Sequence, residues 1–269
     1  MTSVHLIGGG WRGKAADLVH GPFLAAAAAR RAGGTPVIAC LLVDEGDGHA
    51  QESFARYDAV LRAVAPCVPV PVPVPVGHSF DPALLGRADA LLVGGGLTPA
   101  YQQALAPVRA GLPALLRAGA MPYAGFSAGA VVASRHALVG GWTSGGIAVC
   151  PEDAAEDLDE IEVRPGLGLV PFTVDVHAAQ WGTLPRLVEA VRRGDVPYGV
   201  AIDEDTCLTV HEDRAEVSGL GAAHLVRRAP AEAEGAVAVS VGAYRAGRSF
   251  PLRWTPDSRW PVGETRRTR

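Results

Sequence analysis

The amino-acid sequence predicts an α/β fold: a three-layer α/β/α sandwich around a mainly parallel sheet, with antiparallel strands added at an edge toward the C-terminus. Three observations carry this. Short apolar, β-branched runs alternate with alanine-rich or amphipathic stretches, the pattern of strands joined by helical crossovers. Two of those runs end on three glycines, Gly8–Gly10 and Gly94–Gly96. The second half changes to closely spaced apolar runs with short polar turns, which is how hairpins read.

In chain order, Val4–Ile7 is a short strand closed by the first glycine triplet. Gly21–Arg31 has helical composition and stops at Gly33-Gly34, residues suited to a helix end. Pro36–Val43 reads as a buried strand and Gln51–Val64 as an amphipathic helix. Val68–Val76 alternates valine with proline; proline has no N–H for a ladder, so this is polyproline II or a sheet edge. Ala88–Val93 is another buried strand, followed by helices over Ala100–Ala110 and Pro113–Ala118. Pro122–Gly125 leads into Ser127, and an apolar helical segment follows. The acidic stretch Glu152–Glu160 reads as a solvated loop or helix face. Phe172–Val176 alternates as a strand, and Thr183–Arg193 is a helix with Thr183 as its cap and Gly194 as its stop. Tyr198–Ile202, Cys207–His211 and Ala215–Val217 complete the antiparallel set. Residues 1–254 read as one domain and 255–269 as a polar, Arg-rich tail.

Of 269 residues, 48% are apolar and 19% charged, with a net charge of −4. Such a chain buries a core without staples. It has no concentrated basic patch, which argues against nucleic acid as a partner. The four cysteines, Cys40, Cys67, Cys150 and Cys207, are scattered in apolar stretches and read as buried reduced thiols. The beginning of the chain lacks the basic and apolar regions of a signal peptide, and no apolar run reaches membrane-spanning length. The expectation is a cytoplasmic protein without a membrane partner.

Gly125-Phe126-Ser127-Ala128-Gly129 has the G-x-S-x-G pattern between a strand and a helix. A sharp strand-to-helix turn crowds its neighbours, so the flanking positions must lack bulk. The turn projects Ser127 Oγ above the sheet and sets the Ala128 N–H at a helix N-terminus, beside any developing oxyanion. A second donor is expected near Gly95 if the strand ending at Gly94–Gly96 neighbours the serine strand.

A serine hydroxyl needs a base. Of eight histidines, His136 reads as lying on the serine's own helix, too far along its axis. His20, His49 and His78 fall in loops or at helix edges, His211 in a late hairpin and His224 in a late strand. His177 ends the strand Phe172–Val176, the end of a strand where α/β sheets bind ligands, and is the expected base. Asp203-Glu204-Asp205 after the next strand offers the carboxylate that orients it. Glu204 is the choice, with Asp203 and Asp205 as alternatives.

Three motifs, ADALLVGGGLT, GFSAGA, and VDVHAAQ…PRL with YGVAIDEDTCLTV, resemble in order and wording the S51 serine peptidases, a family that includes cyanophycinases and aspartyl dipeptidases. The resemblance runs to about Val226. It implies a fold like that of class I glutamine amidotransferases, flavodoxin-like in its layers, and a triad of Ser127, His177 and Glu204. It further implies oxyanion donors at Gly95 and Ala128, no metal or organic cofactor, and a possible homodimer. Where cyanophycinase-like members carry arginines after the histidine, this chain has Gln180, Trp181 and Thr183, with Arg186 retained; Leu97 replaces a polar residue after the glycines. A site without those groups cannot pair the same charged side chain. The expected substrate is therefore a different, less acidic small peptide or amide. Gln102, Asp175, Trp181 and Arg186 are candidates to line its pocket.

Rival readings remain at this level. Gly8-Gly9-Gly10-Trp11-Arg12-Gly13 fits a dinucleotide fingerprint, but its nearest strand-end acid, Asp44, is too distant and Trp11 and Arg12 are bulky for a phosphate turn. An α/β-hydrolase esterase would draw on Asp153 or Asp159 with His211 or His224. A catalytically altered binding protein and an acyl-transferring relative are further alternatives.

Overall fold

The apolar runs of the first half become the parallel part of an eight-stranded sheet. The computed structural model describes residues 2–46, 48–230 and 235–252, so the tail expected at 255–269 and the boundary at 254 lie outside the described residues. Strands β1 (Val4–Ile7), β2 (Val37–Asp44), β3 (Val68–Pro75), β4 (Ala90–Val93) and β5 (Tyr123–Phe126) stand in the spatial order β3-β2-β4-β5-β1, and every pairing among them is parallel. Four of these, β1, β2, β4 and β5, are buried over most or all of their length, which is why they read as continuous apolar runs and not as alternating ones.

Helices cover both faces. On one side, α1 (Ala16–Arg30) and α2 (His49–Val64) bring Phe23, Leu24, Tyr57 and Leu61 onto Ile7, Ile38, Leu92 and Phe126. On the other, α3 (Thr98–Leu105), α4 (Leu112–Ala118) and α5 (Ala128–Val132) pack Tyr101, Leu116 and Val131 onto Leu6, Leu41, Leu91 and Tyr123. Adjacent strand residues thus serve opposite cores, as the period of two requires. Helix α1 begins before the expected Gly21 and runs through Pro22, which lies inside it; Gly21-Pro22 reads as a helix start because proline is disfavoured in a helix interior. Thr183 stands at the N-cap of its helix, as expected, but its hydroxyl makes no capping bond and donates to Val176 O at 2.6 Å.

The valine–proline segment is β3, the outer edge strand. Its backbone bonds at either end, Val68 N–H to Pro36 O and Val76 N–H to Asp44 O, put the valine N–H groups toward β2. The prolines alternate with them and present no donor outward. The repeat gives an edge that pairs on one side and offers no N–H to a further strand.

After α5 come β6 (His136–Gly140), β7 (Thr143–Ser144), β8 (Ile147–Ala148) and β9 (Glu162–Pro165), with β6 paired to β9 and β7 to β8. His136 opens a strand, correcting its assignment to the serine's helix. The remaining strands are β10 (Thr173–Val176), β11 (Tyr198–Ile202), β12 (Thr206–Val210), β13 (Arg214–Gly219), β14 (Ala222–Ala229), β15 (Ala238–Arg245) and β16 (Ser249–Pro251). Three of them, β12, β13 and β16, extend the main sheet antiparallel beyond β1. The others form a second sheet, β10-β11-β14-β15. It shares the α5-side core through Val174, Val200 and Leu225, and α6 (Leu184–Arg193) covers its other face with Leu187, Ala190 and Val191. The chain therefore crosses from one sheet to the other between β11 and β12, at Asp203–Asp205. All four cysteines are buried and unpaired, and no described helix is long and apolar enough to cross a membrane.

Candidate active site

The elbow at Ser127 is built by its neighbours' lack of side chains. Ser127 has φ 51° and ψ −113°, a conformation non-glycine residues avoid and that persists only where the surroundings impose it. The Ser127 N–H is held by Ile7 O at 2.9 Å and the Gly129 N–H by Gly94 O at 3.0 Å. A Cβ on Gly125 would lie 2.3 Å from Gly129 O, and one on Gly129 would lie 2.1 Å from Val93 O. The x-Gly spacing of the motif is thus set by backbone pressed on backbone. Helix α5 begins at Ala128, and the Ala128 N–H has no hydrogen-bond partner among the described residues.

Ser127 Oγ lies 2.8 Å from His177 Nε2, and His177 Nδ1 lies 2.9 Å from Glu204 Oε1. His177 sits just past β10, and it too has a positive φ, 56°. Burial holds its pKa below the usual histidine value, against the opposing pull of the Glu204 carboxylate. Trp181 stacks on the ring, with centroids 4.1 Å apart and an interplanar angle of 11°.

The two neighbouring acids face elsewhere. Asp203 accepts from the Ala179 and Ala222 N–H groups and from His224 Nε2. Burial disfavours its ionisation, but these hydrogen bonds outweigh that and keep its carboxyl below the ordinary range. Asp205 accepts from the Arg12 N–H at 3.0 Å and pairs with its guanidinium. Of the three carboxylates, Glu204 is the one in contact with the imidazole.

Both glycine triplets belong to this site. In the sheet order, β5 lies between β1 and β4, so the triplets that follow β1 and β4 flank the elbow. A Cβ on Gly95 would lie 3.0 Å from Ser127 Cβ; one on Gly9, where φ is +98°, would lie 2.1 Å from His177 Cε1. Gly8 O accepts the His177 N–H at 3.0 Å and Gly9 O accepts the Asp205 N–H at 2.7 Å. The Gly8–Gly10 loop is therefore the seat of His177 and of the acid-bearing turn, not a free phosphate loop.

Ser127 and His177 open on a cavity of about 870 Å³. Its walls carry Trp11, Trp142 and Trp181 and six carboxylates: Glu45, Glu152, Asp153, Glu156, Asp157 and Asp159. Among the described residues that line it, Arg56 is the one guanidinium and there is no lysine. The stretch expected as a solvated loop is thus a wall of the cavity. Two successive residues in it, Glu156 and Asp157, have positive φ, 58° and 60°. Burial raises the pKa of Glu156, which accepts from the Thr98 N–H at 2.8 Å. Glu152, Asp153, Asp157 and Asp159 remain exposed, as expected of a solvated stretch, while Glu156 is half-buried; the positive-φ pair that shapes the wall leaves no mark in the composition.

Three expected pocket residues are not there. Arg186 and Asp175 form a buried bidentate ion pair, Nη2 to Oδ1 2.7 Å and Nε to Oδ2 3.1 Å, and Arg186 also donates to Gly141 O and Ala154 O. The arginine is a strut beneath the acidic wall, with no access to the cavity. Gln102 donates to Pro165 O and does not line the cavity. Trp181 does line the cavity, as expected. Gly95 lies against the elbow, where a Cβ would be 3.0 Å from Ser127 Cβ, but its N–H donates to Tyr57 Oη at 2.9 Å. Tyr57, a core residue of an amphipathic helix, gave no sign in the sequence of reaching this site.

Known proteins fit this architecture. Over 113 residues the chain is 34% identical to cyanophycinases of Trichormus variabilis and Geminocystis herdmanii, covering 41% of this chain and 35% and 38% of theirs. The match thus spans little more than a third of the length of those relatives. Among solved structures, a peptidase from an acI-B1 Actinobacterium superposes with a TM-score of 0.61 at 15% identity, over 93% of this chain and 97% of that one. A peptidase E-type protein from Listeria monocytogenes EGD-e gives 0.50 at 14% identity, over 82% and 100%; at these identities the likeness is one of fold. The model of peptidase family S51 matches residues 81–218, more than half of the chain and the span that carries Gly95, Ser127, His177 and Glu204, and the chain accordingly belongs to peptidase family S51.

Proposed function

We propose that the chain is a serine-type hydrolase of small peptides or amides, working through an acyl-enzyme on Ser127. The observation that carries this reading is the continuous hydrogen-bonded path Ser127 Oγ–His177 Nε2–His177 Nδ1–Glu204 Oε1 on the wall of a substrate-sized cavity. As Oγ attacks the scissile carbonyl, His177 Nε2 takes the hydroxyl proton, and Glu204 keeps the tautomer with hydrogen on Nδ1 and steadies the imidazolium. His177 then protonates the leaving amine, the C–N bond breaks, and water attacks the acyl group by the same route in reverse. The lowered His177 pKa supports this role, since the ring is a base only while neutral. The Ala128 N–H, at the start of α5 and without a partner among the described residues, supports a role as donor to the tetrahedral oxyanion.

The cavity walls favour the chemistry of the substrate. Among the described lining residues, six carboxylates against one guanidinium disfavour an acidic side chain and attract a cationic group, beside which three indoles stand on the walls. The substrate read from these walls is a small peptide or amide carrying a guanidinium or ammonium.

A fluorophosphonate probe followed by peptide mapping tests the chemistry. Label on Ser127 in the wild type, and its loss in Ser127→Ala and His177→Ala, is the expected result; a folded, unlabelled wild-type chain overturns it. Hydrolysis of arginyl and lysyl amides in preference to glutamyl and aspartyl ones tests the charge preference, and the opposite order refutes it.

A further inference from the structure

The Gly95 N–H is the donor that the elbow's neighbouring strand would offer to an oxyanion, and the Tyr57 hydroxyl occupies its acceptor position. Tyr57 is 1% exposed, so swinging away is not open to it. Its ring packs edge-on against Phe126 with centroids 5.5 Å apart, and against Trp11 at 5.0 Å. A Cβ on Gly94 would lie 3.2 Å from the ring. A phenol has one proton and two lone pairs. The Gly95 N–H takes a lone pair, and among the described residues no acceptor for the proton is found. Tyr57 lines the same cavity as Ser127 and Gly95.

We propose that Tyr57 is a catalytic residue: Oη, anchored by the Gly95 N–H, donates its own proton as a hydrogen bond to the developing oxyanion, beside the Ala128 N–H. This rests on the serine-hydrolase reading above. An oxygen that accepts a hydrogen bond is polarised to donate one, and the low dielectric of a buried site strengthens both. Burial raises the Tyr57 pKa well above its ordinary value, so the phenol keeps its proton. Gly95 is held from its other side as well, by Tyr101 Oη donating to Gly95 O at 3.0 Å. That pairing supplies a control: Tyr101 positions the same loop without facing the serine through its hydroxyl.

The test is the second-order rate of Ser127 phosphonylation by an alkyl fluorophosphonate, which needs no known substrate. Ser127 Oγ bonds to phosphorus, the P–F bond breaks and fluoride leaves, the serine proton passes to His177, and the phosphoryl oxygen takes the oxyanion position. Tyr57→Phe is expected to slow labelling about 10²-fold, with Tyr101→Phe staying within about threefold. A 3,5-difluorotyrosine at position 57 keeps the ring and gives a more acidic donor, so it should label at least as fast as wild type. Labelling of Tyr57→Phe at or above the wild-type rate makes Tyr57 a plug over Gly95 and overturns the proposal alone. An equal slowing in all three variants marks loop packing and overturns it too. A wild-type chain that does not label overturns the hydrolase reading, and this proposal with it.

Discussion

Replacing Gly9 with alanine tests whether the first glycine triplet exists to seat the imidazole. The added methyl would lie 2.1 Å from His177 Cε1, 2.7 Å from Nδ1 and 3.0 Å from Nε2. Ordinary contact begins near 3.4 Å, so ring or loop must retreat by more than 1 Å. The ring has little room, with Trp181 stacked on it at 4.1 Å and Glu204 on Nδ1. Displacing a reacting group by about 1 Å costs about 10²-fold in rate. Alanine at φ +98° adds about 1–2 kcal/mol of backbone strain. Gly9→Ala should therefore lose about 10²-fold in fluorophosphonate labelling while the chain still melts cooperatively. Gly13→Ala, where nothing lies within 4 Å, should label as wild type. A Gly9→Ala protein that labels at the wild-type rate would mean the triplet does not set the imidazole, and the account of the site would have to be rebuilt.

Glu204→Gln keeps the shape of the Nδ1 partner but not its charge, and labelling should fall about 10⁴-fold; an unchanged rate would assign the orienting role to another group. Arg186→Met leaves Asp175 buried without its guanidinium, a loss of about 3–5 kcal/mol in urea unfolding, with the double change Arg186→Met/Asp175→Leu recovering part of it. Equal destabilisation in single and double variants would count against the buried pair. Burial lowers His5 to about 3, with His211 adding to the effect, and His20 to about 4. In the unfolded chain both titrate near the ordinary 6.5. As pH falls below about 6.5 the unfolded state binds protons that the folded state refuses. Stability should then drop by about 1.4 kcal/mol per pH unit for each histidine, ceasing near pH 4 for His20 and pH 3 for His5. A His20→Leu variant with an undiminished slope between pH 6 and 5 would refute that share. The labelling rate should follow neutral His177 and reach half its plateau below pH 6.5; a midpoint well above that value would contradict the burial argument.

The fold was legible where local pattern and tertiary environment agree. A strand buried on both faces has to be apolar throughout, so β1, β2, β4 and β5 announce themselves, and a proline repeat confined to one side of a ladder marks an edge. The division into two sheets was not legible. The segments that became β10, β11 and β12 are all short runs rich in β-branched and apolar residues, and which sheet each joins is decided by long-range pairing, β12 with β1 and β11 with β14. The same limit explains Arg186, Asp175 and Gln102. An arginine two turns from a cavity and one aimed into it look alike along the chain, and it took the bidentate contact with Asp175 to tell a strut from a substrate ligand.

Three consecutive acids after β11 looked like one feature with an uncertain centre. They are three devices, separated because the chain changes sheets at that point. Asp203 points back to the sheet it leaves, closing β14 through Ala222 and His224. Asp205 points to the sheet it enters, pinning the loop after β1 through Arg12 and Gly9 O. Between these two anchors the chain turns, with Asp205 at φ 54°, and the turn carries the Glu204 carboxylate to His177 Nδ1. The two outer acids thereby fix the direction of the middle one, and their mutual repulsion is relieved because each faces its own donors. Charge density that would be costly in a single turn is sustained by giving each carboxylate a different wall of the same junction. The glycine triplet after β1 serves that junction from the other direction: only a backbone without side chains leaves room for the imidazole and the acid-bearing turn to close on it together.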